Sequence, residues 1–202
     1  MTSDALVLLD YQFTICRGDV GKSSGLAASI EDRQVLERAR TCLLAARSRG
    51  MNIAHVRVMF DVDYSNRLNR GERFARYERE RLFLEGTPDV AFCDEVAPEP
   101  GELIVSKGSV DPFIGTPLLP WLIGRNVKNV FIGGVATHMV VESTARHACD
   151  VGLSVNVIED ICASHDSEIH QFSIEKTIPA FATMLSSEDF VRLESVGERS
   201  QQ

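Results

Sequence analysis

The sequence lacks the long apolar segments of a membrane protein. No run of about 18 consecutive apolar residues occurs among its 202 residues, which excludes a predicted transmembrane helix. The first residues, Met1 to Ala5, include neither a basic start nor a long apolar stretch, so no secretory signal is predicted. We therefore expect a cytoplasmic protein that does not contact the membrane.

The sequence also lacks paired cysteines. Its five cysteines are an odd number, widely scattered, and none forms a CxxC pair. This pattern argues against a disulfide scaffold and against a zinc ribbon. We expect reduced and mostly structural thiols at Cys16, Cys42, Cys93, Cys149 and Cys162.

The sequence has fewer basic than acidic residues. Lysine and arginine total 21 against 29 acidic residues, a formal net charge of −8, which would repel a nucleic-acid backbone. One stretch differs, because residues 67–85 hold six arginines and four glutamates. Such a stretch is typical of a solvated helix whose arginines and glutamates pair at three- and four-residue spacing. The alternative is a segment that meets an anion.

The composition is that of one globular domain, with 44 % hydrophobic and 25 % charged residues. We expect the domain to span residues 1–197 and a frayed tail to follow at 198–202. Short β-rich runs alternate with helical periodicity, which predicts a doubly wound, three-layer α/β/α fold around a mainly parallel sheet. The predicted strands are residues 5–10, 53–58, 103–106, 129–132, 154–158 and 181–185.

Helix boundaries are suggested by capping residues and terminators. Ser29 and Asp32 resemble a capping box that would start a helix ending at Gly50. A second helix is predicted from about His138 to Val151, and a polar one over roughly 166–176.

Polar residues follow three of the predicted strands. Asp10 ends the first strand, Lys107 ends the third, and Gly133-Gly134 begins the turn after the fourth. Ligands of open parallel sheets bind beyond the carboxyl ends of the strands, so Asp10 and Lys107 are expected to meet there as a proton-shuttling pair. Taken singly, Asp10 is more often a turn carboxylate and Lys107 a surface lysine, but these interpretations weaken when the two residues are taken together. The two glycines are a weak signal, since neither GxGxxG nor GxxxxGK[ST] is present.

These motifs resemble the isochorismatase-like hydrolase superfamily, which includes isochorismatases, nicotinamidases and N-carbamoylsarcosine amidases. The resemblance extends from the first strand to Glu159-Asp160, and rests on Asp10, Lys107 and a GVxTxxCVxxTAxxA segment that here runs from Gly134 to Ala148. It implies catalytic roles at Asp10, Lys107 and the position of the family cysteine. It also implies a cis peptide between Val135 and Ala136.

The family's nucleophilic cysteine is replaced here by Val140. Valine has no lone pair, so a thioester cannot form at this position. By resemblance, isochorismatases that hydrolyse a vinyl ether also lack the cysteine and have a histidine in the place of His138. In that chemistry the carboxyl group corresponding to Asp10 protonates the enol-ether methylene, and water captures the oxocarbenium ion.

No metal or other cofactor is expected. Nicotinamidases of the superfamily bind a divalent ion with a DxH…H arrangement, which is absent after the second strand here. His55 is expected to be a core histidine, and Asp61 and Asp63 to be solvated loop carboxylates. Cys16 and Cys162 are expected to be buried or incidental thiols rather than relocated nucleophiles.

We therefore expect a cofactor-free hydrolase that acts on a small, carboxylate-bearing molecule, with vinyl-ether hydrolysis preferred. The alternatives are a non-catalytic binding or assembly module descended from an amidase, and an amidase whose cysteine was replaced at position 140. By resemblance, the chain assembles as a homodimer or homotetramer. The amides of Ala136 and Val140 are expected to support developing negative charge, and the arginine-rich segment to form a lid. The other expected substrate contacts are Gln12, Phe13, Arg57, Val135, Thr137 and His138.

Overall fold

The computed structural model describes residues 3–193, which fold around a six-stranded sheet in which every strand pairing is parallel. The strand order is β3-β2-β1-β4-β5-β6. This arrangement confirms the doubly wound α/β prediction. The strands are β1 (Asp4–Leu9), β2 (Asn52–Val58), β3 (Leu103–Lys107), β4 (Asn129–Gly134), β5 (Ser154–Ile158) and β6 (Thr183–Leu185).

Helices connect the strands and cover the sheet. Short 3₁₀ turns and two π-helical turns, Thr137–Val141 and Ser173–Thr177, complete the connections. The α-helices are α1 (Phe13–Cys16), α2 (Asp19–Ser24), α3 (Leu26–Asp32), α4 (Val35–Ser48), α5 (Glu72–Arg79), α6 (Leu118–Gly124), α7 (Glu142–Asp150), α8 (Ser167–Phe172) and α9 (Ser187–Arg192).

The continuous apolar run of β1 is explained by burial on both faces of the sheet. Leu6 and Leu8 belong to one apolar cluster, which includes Leu36 and Leu43 of α4. The alternate residues Ala5, Val7 and Leu9 belong to a second cluster, which includes Leu118 and Leu122 of α6. Successive side chains of a strand point to opposite faces, so β1 contributes to two cores at once.

The strand order changes direction at β1, whose neighbours are β2 on one side and β4 on the other. Connections that leave β1 and β4 run to opposite sides of the sheet at such a point, which opens a crevice beyond the carboxyl ends of the strands. The expected site residue Asp10 and the motif residue Gly134 lie at these two strand ends.

The predicted capping box is wrong. Ser29 and Asp32 lie inside α3, which buries Leu26 and Ile30, and α4 begins only at Val35. The residue before α4, Gln34, has a left-handed backbone (φ 54°) and makes no side-chain cap. Packing of the α3 apolar face therefore places Ser29 in the middle of a helix rather than at its start.

Three other boundaries differ from the sequence prediction. The helix expected from His138 begins as a π-helical turn, and α7 starts at Glu142. The polar helix is divided into α8 and the second π-helical turn, although Asp166 does cap α8 by accepting a hydrogen bond from the Ile169 amide at 3.0 Å. The last strand is limited to Thr183–Leu185.

The expected tail at 198–202 lies outside the described residues, and the single domain over 1–197 stays a prediction. Within residues 3–193, no helix combines the length and apolar character needed to cross a membrane.

Candidate active site

Asp10 and Lys107 form a buried ion pair at the carboxyl edge of the sheet. The Lys107 ammonium donates to Oδ2 of Asp10 at 2.8 Å and to the carbonyl oxygen of Ser109 at 3.1 Å. Both side chains are almost fully buried, with exposed residue fractions of 5 % for Asp10 and 2 % for Lys107. The long lysine side chain thus joins β3 to the end of β1, although β2 lies between these strands.

The two oxygens of the Asp10 carboxyl differ in their surroundings. Oδ2 accepts from Lys107, whereas Oδ1 has no hydrogen-bond partner within residues 3–193. Burial raises the pKa of Asp10 above its ordinary value, and the charge and hydrogen bond of Lys107 oppose this shift. A carboxyl group that keeps its proton to higher pH, with one oxygen unpaired, is suited to general acid chemistry.

Two glycines bring the end of β4 close to its neighbours. A Cβ atom added at Gly134 would lie 2.4 Å from the carbonyl oxygen of Leu9, and one at Gly133 would lie 2.3 Å from the Ile161 side chain. The Gly-Gly pair is therefore required by backbone and core packing. The peptide between Val135 and Ala136 is cis, which confirms the expectation drawn from the resemblance.

A cavity of about 340 Å³ contains the Asp10–Lys107 pair. The structure brings Asp10, Lys107 and Val140 together in this cavity, as expected, and Val135 and Ala136, which were also expected at the site, line its walls. The other lining residues are mainly apolar, with basic side chains among them: Ile15, Val20, Ser24, Leu26, Val58, Arg73, Phe74, Arg76, Tyr77, Val110, Met139 and His165.

Gln12 and Arg57 are not among the described residues that line the cavity, so their expected contact with substrate stays a prediction that this cavity does not support. The Gln12 amide donates to Val58 O at 3.0 Å and to Asp89 O at 3.1 Å, and its oxygen accepts from the Val58 amide at 2.6 Å. Arg57 donates to the Ser106 hydroxyl at 3.0 Å, and its guanidinium lies 5.8 Å from the centre of the Phe92 ring. Both side chains are occupied by contacts within the protein.

Three further expected contacts also lie outside the cavity lining. Phe13 is 52 % exposed and borders neighbouring surface clefts. Thr137 is fully buried and hydrogen-bonded through Oγ1 to Nδ1 of His170 at 2.8 Å. His138 Nδ1 is hydrogen-bonded to the hydroxyl of the buried Ser164 at 2.9 Å, and this bond sets the orientation of the imidazole ring.

The arginine-rich segment was expected to form a lid, and in the structure its helix α5 forms a wall of the cavity. Arg73, Phe74, Arg76 and Tyr77 all line the cavity from this helix. The signal was the arginine-rich segment, for which the sequence left two interpretations open. Surface pairs such as Arg76–Glu80 at 2.7 Å agree with the solvated helix. Binding of an anion by this segment stays a prediction, although α5 also presents basic side chains to the cavity.

None of the described residues that line the cavity is a cysteine. Cys16 and Cys162 are fully buried, as expected. A hydrogen bond with Cys93 and burial raise the pKa of the Cys16 thiol, and burial raises the pKa of Cys162 to about 12. Thiols with raised pKa values are poor nucleophiles at neutral pH.

The other candidate ligand residues have protein partners. His55 is buried in β2 with Nε2 2.8 Å from Oε2 of Glu102. Asp61 accepts from the Ser65 hydroxyl at 2.9 Å, and Asp63 accepts from the Ser65 amide at 3.0 Å. The structure does not bring His55 together with these two carboxylates in the active-site cavity.

Comparisons with known proteins give one family match and several relatives. A family model described as Isochorismatase domain matches residues 4–189. Over 125 residues the chain is 32 % identical to the ureidoacrylate amidohydrolase RutB of Methylorubrum extorquens, an alignment covering 55 % of this chain and 50 % of that protein. The chain thus spans half the length of this relative.

Two further matches cover more of the chain. It is 29 % identical over 184 residues to the ureidoacrylate amidohydrolase RutB of Cronobacter sakazakii, covering 79 % of this chain and 78 % of that protein. The fold is similar to the crystal structure of a cysteine hydrolase from Pseudomonas syringae pv. phaseolicola, with a TM-score of 0.81, 20 % identity and coverage of 95 % and 93 % of the two chains.

Proposed function

The chain belongs to the isochorismatase family of hydrolases, and from this premise we propose that it hydrolyses a small carboxylate-bearing molecule by general acid–base catalysis at Asp10. A vinyl ether is the preferred substrate class. The observation that carries the proposal is the Asp10 carboxyl, which is held by Lys107 through Oδ2 and has an unpaired Oδ1.

The first step of the proposed reaction is a proton transfer from Asp10 to the methylene carbon of the vinyl ether. The C=C electron pair forms the new C–H bond, and the ether oxygen stabilises the resulting cation as an oxocarbenium ion. Burial, which raises the pKa of Asp10, favours the protonated carboxyl that this step needs. Lys107 then faces a carboxylate, and their attraction stabilises the charge left on Asp10.

Water completes the reaction without a covalent enzyme intermediate. A water molecule adds to the oxocarbenium carbon while the Asp10 carboxylate takes its proton. In the hemiketal so formed, the C–O bond to the leaving group breaks while the hydroxyl proton passes to the leaving oxygen. The leaving group thus departs as an alcohol, and the acid fragment becomes a keto acid. Val140 supplies an apolar wall to this chemistry, and the backbone amides of Ala136 and Val140 are proposed to support developing negative charge.

The RutB relatives favour a second candidate, which is hydrolysis of a ureido or amide bond. With valine at position 140, water would have to attack the carbonyl carbon directly, with Asp10 as the general base. The third possibility is a binding module that retained the ion pair for ligand affinity.

A substrate panel separates these functions. The parent chain, Val140→Cys and Val140→Ala would be assayed with 2-(3-carboxyphenoxy)acrylate as the vinyl ether and with ureidoacrylate. The proposal predicts that the parent hydrolyses the vinyl ether and that Val140→Ala does not gain ureidoacrylate turnover. Ureidoacrylate hydrolysis by the parent would favour the second candidate. Activity that appears only in Val140→Cys would indicate an amidase that lost its nucleophile.

A further inference from the structure

Arg73 lines the active-site cavity and is also solvent-exposed, which places it at the cavity mouth. The other two arginines of α5 are neutralised by neighbouring glutamates. Arg76 pairs with Glu80 at 2.7 Å, and Arg79 pairs with Glu72 at 2.5 Å. Within residues 3–193, no carboxylate lies within ion-pair distance of Arg73, so its charge is available to a ligand.

An aromatic cluster fixes the helix that carries Arg73. Phe74 and Tyr77 of α5 are buried, and their ring centres lie 6.0 Å and 6.5 Å from that of Phe60. Tyr77 also packs edge-on against Phe83 at 4.9 Å, and the Tyr64 hydroxyl donates to the Tyr77 carbonyl oxygen at 3.0 Å. The backbone at Arg73 is therefore held in place by the packing of Phe74 and Tyr77 in the core.

The electrostatics of the cavity leave a positive excess near its mouth. The one carboxylate among the described lining residues is Asp10, and it is paired with Lys107. Burial raises the pKa of Tyr77, while the charge and hydrogen bond of Arg73 oppose that shift. Burial lowers the pKa of His138, and Arg73 contributes to the lowering. The Arg73 charge thus acts on Tyr77, which lines the cavity, and on His138, which lies outside the lining, in a protein whose net charge is −8.

We propose that Arg73 binds a carboxylate of the substrate at the cavity mouth and so restricts the enzyme to substrates with a carboxylate remote from the bond that Asp10 protonates. This inference rests on the proposed function and names the residue that selects its substrate. A guanidinium matches a carboxylate with two parallel N–H···O bonds. One unpaired arginine balances a single negative charge, which favours a carboxylate over a phosphate dianion.

The test measures binding, so that it does not require turnover. Benzoate and benzamide share a ring and a similar size but differ in charge, and their affinities would be measured by calorimetry for the parent, Arg73→Gln and Arg73→Lys. Arg79→Gln is the matched control, since Arg79 lies on the same helix and does not line the cavity.

We expect the parent to bind benzoate more tightly than benzamide, and Arg73→Gln to bind benzoate about tenfold more weakly than the parent does. A tenfold loss corresponds to the lower end of the free energy that a hydrogen bond to a charged group contributes. Benzamide affinity should stay within about twofold, as should both affinities in Arg79→Gln. Arg73→Lys should recover part of the benzoate affinity. Equal benzoate affinity in Arg73→Gln and Arg79→Gln would overturn the inference, and so would a parallel loss of benzoate and benzamide binding.

Kinetics distinguish a failure of this inference from a failure of the proposed function. With 2-(3-carboxyphenoxy)acrylate, Arg73→Gln should raise KM about tenfold and leave kcat within about twofold, because the lost contact is made equally before and during the reaction. Unchanged KM with vinyl-ether turnover retained would overturn the role of Arg73 alone. An Arg73-dependent preference for benzoate in a protein that hydrolyses no vinyl ether would overturn the proposed function alone.

Discussion

Lys107 binds only one of the two oxygens of Asp10: its ammonium lies 2.8 Å from Oδ2, while Oδ1 is buried without a hydrogen-bond partner within the described residues. A buried polar atom without a partner is costly, and such atoms are uncommon in folded proteins. A substrate proton acceptor or a water molecule would satisfy Oδ1, so the cost is removed when the site is occupied. The asymmetry also assigns separate tasks, because Oδ2 is positioned by the lysine and Oδ1 is free to transfer the proton.

Replacing Asp10 by asparagine should remove turnover and preserve binding. The amide keeps the size of the side chain and can still accept from Lys107, but it cannot exchange the catalytic proton. General acid–base groups contribute about 10²- to 10⁴-fold, so kcat should fall by a factor in that range. Steady-state kinetics and calorimetry on parent and variant check this, with circular dichroism as the folding control. Full turnover in Asp10→Asn would exclude Asp10 from the chemistry.

The pH dependence of kcat should distinguish acid from base catalysis. Vinyl-ether hydrolysis begins with a protonated Asp10, so kcat should fall as the pH rises through the raised pKa of this carboxyl. Direct attack by water on an amide would give the opposite slope, because the base must be ionised. A pH–rate profile of the parent measures the slope, and the residual rate of Asp10→Asn supplies the baseline. A rate that rises over this interval would contradict the vinyl-ether mechanism.

Lys107→Met should destabilise the protein more at pH 8 than at pH 5. Breaking a buried ion pair leaves an uncompensated charge and costs about 3–5 kcal/mol. Lys107 lowers the pKa of Asp10, so its removal raises that pKa further. A carboxyl whose folded pKa exceeds its unfolded pKa makes stability fall as the pH rises between the two values. At lower pH the protonated Asp10 escapes most of the penalty.

Denaturant unfolding at the two pH values tests the role of Lys107. The free energy of unfolding should be measured for the parent, for Lys107→Met and for the double variant Asp10→Asn/Lys107→Met. The double variant has no carboxyl at position 10, so its loss of unfolding free energy relative to the parent should not grow between pH 5 and pH 8. If Lys107→Met lost the same unfolding free energy at both pH values, an uncompensated charge on Asp10 could not be the cause of the destabilisation.

Thiol reagents should leave the activity intact. Cys16, Cys42, Cys93 and Cys162 are buried, and only Cys149 among the five is partly exposed. Iodoacetamide should therefore modify Cys149 first in the native protein, without loss of turnover. Mass spectrometry after timed exposure identifies the modified residues. Rapid inactivation that follows modification of Cys16 or Cys162 would reveal a thiol with a catalytic role.

The sequence predicted the sheet and the core of the site because both depend on local pattern. The apolar run of β1 required burial on two faces, and parallel strands then placed Asp10 and Lys107 at the same edge. Side-chain direction after a strand end is not a local property. Gln12 follows Asp10 closely, yet its amide binds the backbone at Val58, a residue 46 positions away.

The arginine-rich segment was expected to form a lid, but which residues of α5 line the cavity was beyond local pattern. Its sequence is dominated by arginine and glutamate, as in a solvated helix, and only Phe74 and Tyr77 anchor it to the core. Which arginine faces the cavity depends on the aromatic residues contributed by other segments, such as Phe60 and Phe83. The capping box was misplaced for the same reason, because the start of α3 depends on the packing of its apolar residues and not on a cap at Ser29.

The close approach of Gly134 to Leu9 has a consequence for genetic variation. Even the single methyl group of alanine at position 134 would meet the carbonyl oxygen that immediately precedes Asp10. Relief of that overlap would push apart the ends of two paired strands and shift the acid relative to its lysine. A random-mutagenesis screen for loss of activity should therefore recover Gly134 among its inactive alleles, although glycine has no side chain with which to touch a substrate.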